Sequence, residues 1–251
     1  MRPSRLLVAL AVVLALPGCT SKKKTPNDDG AAARARLAVL AQATADNAYD
    51  ATYSFRQSPS NASGAIRIRQ VPPQYRIDVI SKTSGASFFA LKTGTVSCSQ
   101  KGLKQTCFLV ARPGEEIPAL FDPGVQRLFR VAVEDLAAHP DDYTVQVTTP
   151  PSESPVAVAS GSTSPAPTPV EAGECFAVTR AAGAPSASEN GGFEDGTYCF
   201  SPGGVATAIY VASGTLILTK LESAAPTAAA FKPPAKVVTL PELSATPTPK
   251  K

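Results

Sequence analysis

Five cysteines, a single histidine and the carboxylate doublets Glu115-Glu116 and Asp141-Asp142 are residues of this 251-residue chain whose types lend themselves to chemistry. A Ser-His or Cys-His device would have to use His139. That residue precedes Pro140-Asp141-Asp142 at an expected helix end, where a histidine suits an exposed position near the last carbonyls. Glu115-Glu116 and Asp141-Asp142 are adjacent in sequence, and adjacent side chains point apart in strands and diverge on helices, so neither doublet is a ready acid/base pair. Ser201-Pro202-Gly203-Gly204 lacks the Gly-x-Ser-x-Gly elbow and reads as a turn. There is no phosphate-loop or dinucleotide fingerprint. With no Cys-x-x-Cys pair and one histidine, a zinc set is missing too. The expectation is a protein that is not an enzyme and carries no metal or cofactor.

The cysteines divide by position. Residues 6 to 16, LLVALAVVLAL, form an apolar run behind Arg2 and Arg5 and lead into Leu16-Pro17-Gly18-Cys19. Charged start, apolar middle and small residues at the end are the order of an export signal. The run is shorter than the roughly 20 apolar residues a bilayer-spanning helix needs. Leu-x-Gly-Cys resembles the lipobox of bacterial lipoproteins, in which the cysteine is diacylated and becomes the new N-terminus; Pro17 is a less usual occupant of its position. The resemblance implies a signal peptide over 1–18, a lipid on Cys19, and an extracytoplasmic protein tied to the cell membrane by its acyl chains. The alternative is a secretory signal with an incidental cysteine.

Four cysteines remain, Cys98, Cys107, Cys175 and Cys199, and an even number in an exported chain reads as two disulfides with three possible connectivities. Cys98 and Cys107 flank SQKGLKQT, a turn-like stretch between strand-like segments, which suits a bridge across a hairpin. Cys175 and Cys199 then pair by default.

Composition narrows the partners. Without residues 1–18, 22 basic residues face 20 acidic ones, so there is no electrostatic case for nucleic acid. Lys22, Lys23 and Lys24 follow the anchor, where each basic residue near anionic headgroups is worth about 1 kcal/mol; a solvated tether explains them equally well.

The periodicity of the chain supplies the elements. Residues 19–30 are polar and read as a lipidated tether. Ala31 to Asn47 is alanine-rich, with Leu37, Leu40 and Thr44 on one helical face. Strict alternation follows: Tyr53 and Phe55, then Ile66 and Ile68 against Arg67 and Arg69, then Tyr75, Ile77 and Val79 against Arg76 and Asp78. That is an antiparallel sheet with one apolar and one charged face. ASFFALK, TVSCS and QTCFLV continue it. Val125, Leu128, Phe129, Ala132 and Leu136 recur at helical spacing and predict an amphipathic helix. Strands resume with DYTVQVTTP, ECFAVTR, GTYCFS, GVATAIYVAS and GTLILTKLES. Residues 150–172 are rich in Pro, Ser, Ala and Thr and are expected to be a disordered insertion, as are 241–251 at the end. The expected fold is one α+β domain over 31–240: a long, curved antiparallel sheet of about ten strands, an open half-barrel with two helices on its concave side.

The order of these elements and several local strings resemble the LolA/LolB-like superfamily and its membrane-anchored actinobacterial LppX/LprG type. The strings are LAVLAQATADNAYDATYSFRQ (37–57), Gly64-x-Ile66-x-Ile68, Pro73-x-Tyr75-Arg76-Ile77-Asp78, YCFSPGGVATAIYV (198–211) and Phe231-Lys232-Pro233-Pro234. The low-complexity stretch and the lipobox depart from the soluble carriers and fit the anchored relatives. The resemblance implies a lipid or acyl chain held in a hydrophobic half-barrel, lined by Tyr53, Phe55, Ile66, Ile68, Tyr75, Ile77, Val79, Leu128 and Phe129, with Arg112 to Pro123 as a mobile lip. The competing expectation is that these residues fill an ordinary core, and that the protein is a sensor or binding module for another envelope protein.

Overall fold

A computed structural model of the chain describes residues 26–60, 62–80, 84–118, 121, 124, 127–152, 173–184 and 193–239. The signal segment, Cys19, the insertion over 153–172 and the tail after 240 lie outside the described residues. Helix α1 (Pro26–Asp46) leads into β1 (Tyr49–Gln57), β2 (Ser63–Val71), β3 (Gln74–Ile80), β4 (Ser84–Leu91), β5 (Gly94–Lys101) and β6 (Lys104–Ala111). A π-helical turn, Arg127–Val131, opens α2 (Ala132–Ala138). Then come β7 (Tyr143–Thr148), β8 (Glu174–Arg180), β9 (Gly196–Phe200), β10 (Ala206–Val211), β11 (Gly214–Leu221) and β12 (Val237–Thr239).

All twelve strands form one open sheet in the order β12-β6-β5-β4-β3-β2-β1-β11-β10-β9-β8-β7. Every pairing is antiparallel except β12 on β6. The eleven antiparallel strands stand where the alternating segments place them. β12 is the addition: three residues are too few to show a period, and their pairing depends on a long return of the chain.

Helix α1 begins five residues earlier than the alanine-rich run. Pro26 occupies a first-turn position, where its missing backbone N–H costs nothing. Its apolar face is the expected one: Leu37, Leu40 and Thr44 are buried, with Ala33 and Ala41 beside them. Full burial of each leucine contributes about 1.5–3 kcal/mol. The far end of α1 packs so closely on the β9–β10 turn that a Cβ on Gly204 (φ +82°) would lie 2.3 Å from the Cβ of Ala43. Thr44 Oγ1 donates to the Gly204 carbonyl and Asn47 Nδ2 to that of Gly203.

The last carbonyls of a helix have no partner within it. Here a strand supplies one. Gln70 of β2 is 8% exposed, and its Nε2 donates to the carbonyls of Thr44 (2.9 Å), Ala45 (2.8 Å) and Asn47 (3.1 Å).

The main core lies on the face of the sheet covered by α1, the π-turn and α2. Two smaller clusters sit on the other face, each around a disulfide. Cys98 and Cys107 stand opposite each other across β5 and β6, and Cys175 and Cys199 across β8 and β9. After β11 the chain returns over this outer face as a strap: Phe231 is buried, Ala230 accepts a hydrogen bond from Arg76 of β3, and Ala235 and Val237 pack on the first disulfide's cluster.

Two outcomes follow. Gln70→Ala leaves buried carbonyls unpaired and should cost about 1–3 kcal/mol, read as a lower denaturation midpoint at unchanged slope. The second disulfide closes a separation of 24 residues against 9, so its removal should cost roughly 1 kcal/mol more than removal of the first in the loop-entropy account. Urea titrations of Cys175→Ser/Cys199→Ser and Cys98→Ser/Cys107→Ser chains compare the two.

Candidate functional site

The registers arrange the inner, helix-covered face as rows of side chains running across β1 to β6. One row is Tyr53, Ile66, Val79, Ala86, Ser99 and Thr106; the next is Ala51, Ile68, Ile77, Phe88, Ser97 and Phe108. Burial falls along both. Tyr53, Ile66, Ala51, Ile68, Ile77 and Phe88 are between 0% and 3% exposed. Further along, Val79 and Phe108 are half-buried and Ala86 is exposed. The helices cover β1 to β3; beyond them the rows run on through Ser97, Ser99 and Thr106, and Val79 and Phe108 are the large apolar side chains left half-covered at that margin.

All the expected lining residues but Leu128 have a defined place. Tyr53 meets Phe129 edge-on at a centroid distance of 5.1 Å, and its hydroxyl donates to the Ala206 carbonyl at 3.0 Å. Tyr75 lies beside Phe88 at 6.0 Å and beneath the Arg130 guanidinium at 4.1 Å. Ile66, Ile68 and Ile77 belong to the main core, and Phe55 packs against it half-buried. Phe55 needs a glycine opposite: a Cβ on Gly64 would stand 2.7 Å from its ring. Val79 is at the margin of the covered zone, and the Leu128 side chain lies outside the description. Of the expected lip, Ile117 packs on the core, while residues 119, 120, 122 and 123 lie outside the described residues.

The outer face holds what the sequence reading passed over. Asp50 and Asp78 are buried there, 7% and 8% exposed. Arg67 grips Asp50 with a fork, Nε to Oδ1 at 2.7 Å and Nη2 to Oδ2 at 2.8 Å. Arg69 joins the two acids, with Nε 3.4 Å from Asp50 and Nη1 3.0 Å from Asp78. Arg76 donates to Asp78 at 2.8 Å, as does Ser87 at 2.5 Å. Hydrogen bonding to Asp50 raises Arg67 above its usual value. Arg69 is lowered, by burial first and by the neighbouring arginines, against the pull of the aspartates. A cavity of about 530 Å³ opens on this network, lined by the three arginines, Asp78, Ser87, Gln100, Gln105 and Pro234 of the strap among others. The signal was the alternation of Arg67, Arg69, Arg76 and Asp78. Their convergence on a cavity depends on strand registers and on the strap, which no local pattern encodes.

A third cluster surrounds the only histidine. His139 ends α2, its N–H bonded to the Asp135 carbonyl at 2.8 Å, and its exposed ring Nδ1 lies 2.9 Å from Asp135 Oδ1. The Tyr143 hydroxyl donates to Asp135, and Arg180 Nη2 donates to the Tyr143 oxygen at 3.1 Å and reaches Asp135 at 3.4 Å. Burial opposes ionisation of Asp135, but Tyr143, His139 and Arg180 together hold it below its ordinary value. Burial and the adjacent carboxylate push the Tyr143 phenol up. Among the described residues, no group of His, Cys, Asp and Glu is placed to hold a metal ion.

Compared with protein-family models and with curated proteins, the chain matches none.

A depressed carboxylate stabilises the fold above its unfolded-state value, about 3.9, and that contribution is lost as pH falls through the lower folded value. Asp135→Asn should therefore lower stability at neutral pH and flatten the loss of stability below about pH 4. Thermal melts of both chains between pH 2.5 and 7 measure the difference. Parallel curves would remove Asp135 from the account.

Proposed function

We propose that the protein is a membrane-anchored extracytoplasmic lipoprotein, of the LolA/LolB-like superfamily and its LppX/LprG type, that binds a lipid acyl chain on the helix-covered face of its sheet and passes it on. The observation that carries this reading is the gradient of burial along the inner rows. Apolar surface begins under α1 and α2 and emerges half-covered at Val79 and Phe108. An acyl chain laid along the emerging part gains about 0.8 kcal/mol for each CH₂ it takes out of water. Curling of a sheet this large around its helices would give the half-barrel, and residues 112–118, the described part of the expected lip, would border its mouth. Uptake and release then need no bond chemistry, only an opening at that margin.

The anchor fits the task. Cys19 precedes Pro26 by seven residues, a span of at most about 25 Å when fully extended. A diacyl anchor stays on its membrane, so lipid would be handed over from a tethered position.

A second reading has its own support. Tyr53, Ile66, Ile68, Tyr75, Ile77 and Phe129 are buried by the protein's own side chains, each at most 6% exposed. A filled core of this kind suits a sensor or binding module for another envelope protein.

Native mass spectrometry of the full chain released from membranes in a neutral detergent separates the two, with organic extraction to identify what is bound. The expected result is a stoichiometric lipid adduct that falls at least tenfold in Val79→Glu and Phe108→Glu chains of unchanged melting temperature. A bare protein mass that added phospholipid leaves unaltered would end the carrier reading in favour of the filled core.

A further inference from the structure

We propose that the outer-face cavity is a binding site for a small ligand bearing a phosphate group, held by Arg67, Arg69 and Arg76 and separate from the acyl surface on the opposite side of the sheet. Four observations converge on it. Arg69 and Arg76 stand directly opposite each other across β2 and β3, a like-charge pair that weakens a sheet unless something offsets it. Asp50 and Asp78 offset it in part, and they lie where they grip all three arginines through Nε. That grip fixes the guanidinium planes before any ligand arrives, which removes an ordering cost from binding.

The site keeps a net positive charge: three arginines line it, against Asp78 in the lining and Asp50 behind it. With one edge of each guanidinium taken by an aspartate or the strap, the remaining terminal N–H groups of three arginines match a phosphate, with its multiple free oxygens, better than a carboxylate with two. At about 530 Å³ the cavity falls within the range of small-molecule sites and exceeds what a bare ion fills. Ser87, Gln100 and Gln105 add neutral polar groups around the charged floor, suited to the hydroxyls of a ligand's body. Charge of this kind at one concave spot is not needed for a surface ion-pair network, which gains little from enclosure.

The strap completes the site. Pro234 forms part of its wall, and the segment is fastened by Arg76 Nη1 donating to the Ala230 carbonyl at 2.9 Å and by buried Phe231. One of the three arginines therefore both lines the cavity and holds its cover.

The phosphate has two sources, a free phosphate or phosphate ester and the headgroup of an anionic lipid. Isothermal titration of the full chain in uncharged detergent micelles, with inorganic phosphate in one arm and dihexanoyl phosphatidylglycerol in the other, distinguishes them. Gln100→Glu and Gln105→Glu place a carboxylate at the rim, where both side chains are exposed and Gln105 Nε2 already donates to Gln100. The expected result is one-to-one binding in at least one arm that weakens tenfold or more in both variants and with added salt, and that is unchanged by Phe108→Glu, a position outside the cavity lining. Binding of phosphate assigns a free ligand, and binding of the lipid alone assigns a headgroup. No binding in either arm up to 10 millimolar (about 2.7 kcal/mol), or binding that both glutamate variants leave intact, overturns the site. A lipid response lost in Phe108→Glu but kept in Gln100→Glu likewise overturns it while leaving the acyl surface standing.

Discussion

A strand side chain has only two directions available, and in this chain that constraint organises everything else. Each strand residue of β1 to β6 goes to the helix side or to the outer side, and the antiparallel registers carry the same assignment from strand to strand, with one irregularity at Thr95/Val96 between β5 and β6. A slip of one residue in β2 would bring Arg67 and Arg69 under the helices and turn Ile66 and Ile68 to the outside. Burying those charges without partners would cost far more than marginal stability allows. Register here is therefore fixed by the difference between the two faces.

The faces are then closed by different means. On the inner side, helices supply apolar cover, and the open carbonyls at the end of α1 are taken up by Gln70 from the sheet beneath. On the outer side, among the described residues, no α-helix covers the sheet. Two disulfides, an ion-pair network and the returning strap do the same work over smaller areas. Charges can be buried there because each is matched: Asp50 and Asp78 receive hydrogen bonds from Arg67, Arg69, Arg76 and Ser87. Arg76 also stacks on Phe89 at 4.7 Å, so its charge and its stem both serve the outer cluster.

This division gives the molecule two chemically distinct surfaces. The inner rows grade from core into half-covered apolar surface, so packing and ligand contact would draw on the same side chains. The outer cavity is polar, and its floor belongs to the network that keeps β2 and β3 together. Loss of an arginine there would disturb fold and site at once, whereas a change at Gln100 or Gln105 touches the rim alone.

Much of this was written in the sequence. Alternation in β1 to β3, helical spacing of Leu37, Leu40 and Thr44, and the hairpin placement of Cys98 and Cys107 each depend on residues close in the chain, so local patterns determined strands, helix face and one disulfide. Even the second disulfide followed once the first was set. What lay beyond the sequence were the contacts made across long separations. β12 beside β6, the strap over the outer face, Gln70 under the end of α1 and the cavity over Arg67, Arg69 and Arg76 join segments from different parts of the chain. Periodicity states which face a side chain takes; only the packed sheet decides which other segment is waiting there, because that choice is made by registers and returns of the chain summed over the whole fold.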